Sequence, residues 1–180
     1  MRMFTIGHST RPLDQFVALL RENGVRQLAD VRAVPRSRWN PQFNLERLRL
    51  ALREVGVTYL PMPQLGGRRS GRAGSANRGL RNADFRAFAD YMQTRDFVDA
   101  LDELLDAAAQ APTVIMCAEA RPADCHRQFI ADALLARGVE VAHILGPGRC
   151  LPHTLSEAAV PEGGTVTYPS IQQKSNRELI

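Results

Sequence analysis

The chain has 180 residues, of which 44% are hydrophobic and 23% are charged, so it can bury the core of one domain of ordinary size. No stretch approaches the roughly 18 apolar residues of a membrane span, and the first residues lack the apolar run of a signal peptide. Three cysteines, an odd number, do not indicate a disulfide framework, so we expect a cytoplasmic protein.

Hydrophobic periodicity predicts strands that alternate with helices. In chain order these are a strand at 3–6, a helix at 12–23, a strand at 27–31, a helix at 45–55, a strand at 58–62, an arginine- and glycine-rich loop at 64–82, helices at 84–93 and 97–109, a strand at 114–118, a helix at 127–137 and a strand at 141–145. The alternation implies right-handed crossovers and a mainly parallel sheet with helices on both faces.

We therefore predict a single three-layer α/β domain over residues 1–150, with a sheet of about five strands. Residues 151–180 are rich in proline, glycine and short polar runs. This composition predicts an irregular tail on the same domain, with a short strand near 165–168.

Basic charge is concentrated in the first half of the chain. Lys174 is the only lysine, and the other 22 basic residues are arginines. Residues 1–82 contain 15 arginines and five acids, whereas residues 83–180 contain seven arginines, the lysine and 14 acids. A basic half favours an anionic partner, such as a phosphorylated metabolite, a nucleotide or a nucleic acid.

Polar side chains follow the predicted strands at their carboxyl ends, which is where ligands bind in open parallel sheets. The strand ends supply His8 and Ser9 from the first strand, Asp30 and Arg32 from the second, the glycines Gly66 and Gly67 from the third, and Cys117 and Glu119 from the fourth. His143 lies within an apolar strand and is expected to be a core histidine with satisfied hydrogen bonds. The convergence predicts one site at this edge of the sheet.

Four motifs in this order resemble the bacterial and archaeal domain of unknown function 488 family. They are Thr5-Ile6-Gly7-His8-Ser9, Asp30-Val31-Arg32 with Pro35-Arg36-Ser37-Arg38, Leu65-Gly66-Gly67, and Cys117-Ala118-Glu119 with Cys125-His126-Arg127. The resemblance covers about residues 3–144. It implies a compact α/β cytoplasmic protein and implies no particular activity.

The leading interpretation is acid–base chemistry on an anionic substrate. His8, Asp30 and Glu119 are the candidate catalytic groups. The remaining candidates would bind the substrate, with the arginines holding phosphate or carboxylate as forks: Ser9, Arg32, Arg36, Arg38, Gly66, Gly67, Cys117, Cys125, His126 and Arg127. The alternative is that Asp30 pairs with Arg32, and Glu119 with Arg127, only to stabilise loops.

A thiol nucleophile is a second interpretation. Cys117 ends a strand shortly before a helix, a placement that lowers a thiol pKa in rhodaneses and tyrosine phosphatases. Arg121 is too near and Arg127 too far for the Cys-x5-Arg loop of the phosphatases. The sequence therefore favours a structural cysteine at this position.

A mixed zinc site is a third interpretation, formed by Cys125 and His126 together with Cys117, His8 or Asp30. Zinc sites usually contain closer pairs such as Cys-x2-Cys, and we expect that adjacent cysteine and histidine side chains do not aim at one ion. No metal ligand is assigned for this reason.

Common nucleotide motifs are absent from the sequence. The turn Gly7-His8-Ser9-Thr10 lacks the dinucleotide fingerprint, which disfavours NAD binding. No lysine is available for a P-loop, which disfavours ATP hydrolysis. The sequence does not indicate which cofactor, if any, the protein uses. The loop at 64–82 is either a mobile lid that closes on an anion or a solvated insertion.

The sequence thus predicts a small cytosolic hydrolase or group transferase that acts on an anionic, phosphate-bearing or nucleotide-like substrate. The competing class is a non-catalytic module that binds nucleotides or nucleic acid. That class is weakened because only Trp39, Phe43 and Tyr59 are expected to be available near the edge for base stacking. No membrane partner is expected, and the sequence does not indicate an oligomeric state.

Overall fold

Six strands form the main sheet of the computed structural model, which describes residues 1–170 and residue 172. In chain order they are β1 (Arg2–Gly7), β2 (Gln27–Asp30), β3 (Thr58–Pro61), β4 (Thr113–Cys117), β5 (Glu140–Gly146) and β6 (Arg149–Pro152). Their spatial order is β3-β2-β4-β1-β5-β6, with β1 to β5 parallel and β6 antiparallel to β5. The predicted α/β class is confirmed.

Helices cover both faces of the sheet. They are α1 (Leu13–Glu22), α2 (Leu45–Glu54), α3 (Ala83–Tyr91), α4 (Arg95–Gln110) and α5 (Arg127–Ala136). One core cluster contains Phe16 of α1 and Leu48 of α2, and the other contains Phe88, Leu104 and Phe129 from the remaining helices. No helix in this described part of the chain is long and apolar enough to cross a membrane.

The register of the parallel strands brings their carboxyl ends together. Gly7 at the end of β1 pairs with Cys117 at the end of β4, and Asp30 at the end of β2 pairs with Met116. Because these strands end level with one another, the loops that follow them leave at one edge of the sheet.

The chain after β5 is more regular than predicted. β6 adds an antiparallel edge strand, and β7 (Val160–Glu162) pairs with β8 (Thr165–Thr167), which confirms the short strand expected near 165–168. Val166 and Tyr168 are buried in the core. Pro152 in β6 is tolerated because the strand lies at the sheet edge, where one side of its backbone needs no partner. Residues 171 and 173–180 of the predicted tail lie outside the described residues.

The predicted loop at 64–82 is irregular but partly packed. It opens with a 3₁₀ turn at Pro63–Leu65. Further along, Asp90 of α3 accepts hydrogen bonds from Ser75 Oγ at 2.6 Å and Asn77 Nδ2 at 2.7 Å, and Asn77 Oδ1 accepts from the Tyr168 N–H at 2.8 Å. These partners are distant in sequence, which is why local composition predicted only an unstructured loop.

Candidate functional site

An open cavity of about 770 Å³ lies at the carboxyl edge of the main sheet. The predicted site residues on its lining are His8, Ser9, Arg32, Arg36, Gly67, Cys117, Glu119, Cys125 and His126. Among the described residues, the lining does not include Asp30, Arg38, Gly66 or Arg127. The cavity therefore collects groups from the loops after β1, β2, β3 and β4.

Asp30 lies beneath the cavity and holds Arg32 in place. Its carboxylate accepts from Arg32 Nε at 2.9 Å, from Arg32 Nη2 at 2.6 Å and from the Tyr59 hydroxyl at 2.8 Å. Burial and the Asp30 charge raise the pKa of Tyr59, so its hydroxyl stays protonated and donates. The carboxylate of Asp30 is occupied by these donors, and its effect on the cavity is to orient Arg32.

His8 is a neutral hydrogen-bonding group on the lining. Its Nδ1 donates to the carbonyl oxygen of Ser9 at 2.8 Å, which leaves Nε2 as an acceptor 3.4 Å from Arg32 Nη1. The ring stacks on Phe43 at 4.3 Å between centroids. Burial lowers the pKa of His8 to about 4, so the ring is uncharged at neutral pH.

Cys117, Cys125 and His126 form a compact group on the same lining, which we call the Cys–Cys–His cluster. His126 Nδ1 lies 3.9 Å from Cys117 Sγ and 3.7 Å from Cys125 Sγ, and the three atoms all lie within 4.8 Å of one another. The expectation that adjacent cysteine and histidine cannot aim at one point is wrong. Cys125 is extended whereas His126 has helical dihedral angles, so the chain turns between them and both side chains reach Cys117.

The two thiols of the cluster differ in environment. Cys125 Sγ accepts from the Arg127 backbone N–H at 3.5 Å and from Arg127 Nε at 3.4 Å, at the first residue of α5. The hydrogen bond from Cys117 to Cys125 lowers the pKa of Cys125 and raises that of Cys117, and His126 and Arg127 lower the pKa of Cys125 further. Cys125, which accepts from two N–H groups of Arg127, is therefore the better placed of the two sulfur atoms to carry negative charge.

Two glycines allow this close packing. A Cβ atom at Gly67 would lie 2.5 Å from His126 Nδ1 and 2.7 Å from its Cγ, above the face of the ring. A Cβ atom at Gly7 would lie 1.8 Å from the carbonyl oxygen of Glu119. Neither position has room for a side chain. The second glycine of the Leu65-Gly66-Gly67 motif is therefore required because the His126 ring of the cluster packs against it.

Arg127 is 1% exposed and points beneath the cavity rather than into it. Besides Cys125, it donates to the carbonyl oxygen of Glu119 and, through Nη1, to Thr5 Oγ1 at 3.2 Å. The carboxylate of Glu119 does not take part in these bonds and lies exposed on the lining. Arg127 therefore ties the cluster to the loop after β4.

A buried chain of hydrogen bonds continues from Thr5 away from the cavity. Thr5 Oγ1 lies 2.7 Å from His143 Nδ1, His143 Nε2 lies 3.0 Å from His153 Nδ1, and His153 Nε2 lies 2.8 Å from Asp132 Oδ1. One proton arrangement satisfies every bond, with each residue donating to the next and the carboxylate accepting last. His143 is thus a satisfied core histidine, as predicted, whereas nothing in the sequence indicated a role for His153.

The charges on the lining are mixed but not fully paired. The acids are Asp84, Glu119 and Asp124, and the arginines are Arg32, Arg36, Arg68 and Arg121. Arg121 pairs with Asp124 at 3.1 Å. Arg36 and Arg68 are exposed and form no ion pair with any residue that the structure describes. These two guanidinium groups are available to an anion that enters the cavity.

Fold and site together define the class: a mainly parallel α/β protein with thiols, histidines and arginines at the carboxyl ends of its strands. The chain belongs to the family described as domain of unknown function DUF488, whose model matches residues 12–134, about two thirds of the chain. The resemblance recognised in the motifs is thereby confirmed. The matched range includes Asp30, Arg32 and the Cys–Cys–His cluster but not β1 with His8. No curated protein and no solved structure matches the chain.

Proposed function

We propose that this protein is a cytoplasmic enzyme, a hydrolase or group transferase, that binds an anionic, phosphate-bearing or nucleotide-like small molecule in the cavity. The proposal is carried by one juxtaposition: the Cys–Cys–His cluster shares one cavity lining with Arg36 and Arg68, which are exposed and form no ion pair with the described residues. A volume of about 770 Å³ is in the range of small-molecule sites and admits a nucleotide.

The described contacts support a division of roles. Arg36 and Arg68 hold the anion, because guanidinium groups match the geometry of phosphate and carboxylate oxygens. The Cys–Cys–His cluster supplies the reacting groups, and Glu119, exposed on the lining, is placed to transfer a proton. Asp30 and Arg127 act as positioning residues, since both are buried and engaged with neighbours.

Binding can be followed through Trp39, the only tryptophan of the chain, which is 87% exposed and precedes the lining residue Asn40. Its fluorescence would be titrated with a nucleoside 5′-monophosphate and with the same nucleoside lacking phosphate. We expect saturable binding that requires the phosphate. The R36A/R68A variant should weaken it more than about tenfold, because a hydrogen bond to a charged group contributes roughly 1.5–3 kcal/mol.

The matched control is R21A/R26A, which removes two exposed arginines that lie together at the amino end of β2, away from the cavity. This variant should bind as the unmodified protein does. The proposal would be contradicted if nucleoside and nucleotide bound with equal affinity. It would also be contradicted if R36A/R68A and R21A/R26A lost affinity for the nucleotide to the same extent.

Turnover is tested separately by product analysis after incubation with phosphate monoesters and nucleotides. The C125S variant should lose turnover while retaining phosphate-dependent binding, and C150S, which changes the thiol outside the cluster, should retain both. Turnover that survives in C125S would contradict the role of the Cys–Cys–His cluster in the reaction.

A nucleic-acid-binding module is the second candidate, favoured by the exposed Trp39 beside exposed arginines on the loop after β2. An aromatic side chain next to basic groups is suited to stack a base and contact the backbone. This function requires affinity for single-stranded oligonucleotides that falls steeply with salt and drops in Trp39→Ala. Oligonucleotide binding without any small-molecule turnover would favour it over the enzyme.

A further inference from the structure

We propose that Cys117, Cys125 and His126 form a binding site for one transition-metal ion of the zinc class, with its fourth coordination position open to the cavity. The inference goes beyond the proposed function, because such an ion would bind whether or not an anionic substrate is present. Its basis is the geometry and the chemistry of the three side chains.

The distances within the cluster fit tetrahedral coordination. Zinc lies about 2.3 Å from thiolate sulfur and about 2.0–2.1 Å from imidazole nitrogen, so tetrahedral angles separate neighbouring ligand atoms by about 3.5–3.8 Å. His126 Nδ1 lies 3.7 Å from Cys125 Sγ and 3.9 Å from Cys117 Sγ. Shifts of a few tenths of an ångström would bring Nδ1 to these separations from both sulfur atoms. The two sulfur atoms, which lie within 4.8 Å of each other, would approach by up to about 1 Å to complete the site.

The set of donors selects the type of ion. Two thiolates and an imidazole are borderline-soft ligands that suit zinc and related transition metals rather than calcium or magnesium. Cys125 Sγ already accepts two N–H groups from Arg127, and outer-shell hydrogen bonds of this kind orient a ligand and offset its charge. The cluster thus has both inner ligands and part of an outer shell.

The orientation of the His126 ring directs one nitrogen to the cluster. Nε2 is buried with no hydrogen-bond partner among the described residues, and the ring packs edge to face against Phe88 at 5.2 Å. The absence of a side chain at Gly67 leaves room for the ring, because an added Cβ would lie 2.5 Å from Nδ1. With its proton on Nε2, the imidazole presents Nδ1 to the two sulfur atoms.

The open position distinguishes this site from a structural zinc site, which usually has four protein ligands. In the described part of the chain, the cluster consists of three such residues. All three line the cavity that Arg36 and Arg68 also line. Water or an oxygen of a bound anion would therefore complete the coordination, an arrangement that catalytic zinc sites share.

The test is a metal titration of the full chain. Protein reduced and freed of metal with a chelator is titrated with Co²⁺ in the absence of air. We expect one equivalent to bind with a thiolate-to-cobalt charge-transfer band and the visible bands of tetrahedral cobalt, both abolished by Zn²⁺. C117S and C125S should each weaken binding roughly a hundredfold or more, since loss even of an outer-shell partner costs 10–100-fold. C150S is the matched control and should leave the spectrum unchanged.

Protection of the thiols from alkylation is a second measurement, and it is made on the unmodified protein, so it does not depend on the folding of any variant. Zn²⁺ should protect two of the three thiols from alkylation, namely Cys117 and Cys125, and leave Cys150 reactive. Absence of stoichiometric binding, equally tight binding by C117S/C125S, or a Cys117–Cys125 disulfide that forms equally fast with Zn²⁺ present would overturn the proposal. Phosphate-dependent binding is measured on the metal-free protein, so the metal site and the anion site can fail independently.

Discussion

Gly67 shapes the Cys–Cys–His cluster without contributing a functional group to it. We predict that Gly67→Ala displaces the His126 ring and lowers the free energy of unfolding by about 1–3 kcal/mol, the usual cost of overpacking a buried site. The matched control is Gly71→Ala, whose added methyl group would meet no described residue within 4 Å and should change stability by less than about 0.5 kcal/mol. Urea unfolding of both variants is the measurement, and equal effects would contradict the packing argument.

The Asp30–Arg32 pair is the second residue-scale feature with a measurable consequence. We predict that Asp30→Asn destabilises the protein by on the order of 3 kcal/mol, because it leaves the guanidinium of Arg32 buried without its counter-charge. Asp99→Asn breaks the exposed pair with Arg95 and should cost about 0.5 kcal/mol or less. A small effect at Asp30 in the same unfolding assay would mean that water or another acid replaces the carboxylate.

At the scale of elements, the loop between β3 and α3 divides into two parts. Residues 70–74 are exposed, whereas Ser75 and Asn77 are buried against Asp90 and the segment after β8. Closure of the loop over a bound anion stays a prediction. The hydrogen bonds confine such movement to the part before Ser75.

Limited proteolysis tests this division. Trypsin should cleave first after Arg68 and Arg72, which are exposed in the first part, and more slowly after Arg78. Asn77→Ala removes the bonds to Asp90 and Tyr168 and should speed cleavage after Arg78, whereas the control Ser70→Ala should not. Cleavage after Arg78 that is fastest in the unmodified protein would contradict the packing of the second part. A nucleotide that slows cleavage after Arg68 would support the lid.

At the scale of the whole molecule, the buried hydrogen-bond chain joins elements that are distant in sequence. It runs from Thr5 of β1 through His143 of β5 and His153 after β6 to Asp132 of α5. Asp132 also accepts from the Tyr168 hydroxyl at 2.8 Å, which ties the segment after β8 to the same helix. The stability of the whole fold is therefore linked to the protonation of this chain.

We predict a loss of stability in mild acid that depends on His143. Burial is the largest cause that lowers its pKa to about 4, and the nearby Arg127 guanidinium adds to it against the opposing effect of Asp132, whereas the unfolded chain keeps a pKa near 6.5. Unfolded molecules therefore take up the proton first as pH falls below 6.5, and stability declines until about pH 4. The decline attributable to His143 is about 2 kcal/mol at pH 5.

The measurement compares unfolding of the unmodified protein and His143→Gln at pH 7.5 and pH 5. The variant should lose less stability between the two pH values, whatever its stability at pH 7.5. An equal pH dependence in both proteins would show that His143 does not carry the effect.

Short-range pattern was sufficient to predict β1 to β5, the five helices and the edge of the sheet at which the cavity lies, but it did not predict β6 and β7. The burial of Phe16, Leu19 and Leu20 on one face of α1 follows from their helical spacing, and parallel strands must end at a common edge. Hence the sequence alone placed His8 and Cys117 at that edge. Both periodicities are properties of neighbouring residues and need no knowledge of the tertiary fold.

Only the tertiary structure decided which of these polar groups pair with one another. Asp30 turns to Arg32, Arg127 turns inward to Thr5, and Cys125 with the adjacent His126 reaches back to Cys117. Each choice depends on the direction of a side chain and on buried donors brought from other strands and helices. Residue type and spacing do not encode those directions, because burial and long-range hydrogen bonds set them only when the layers of the fold pack together.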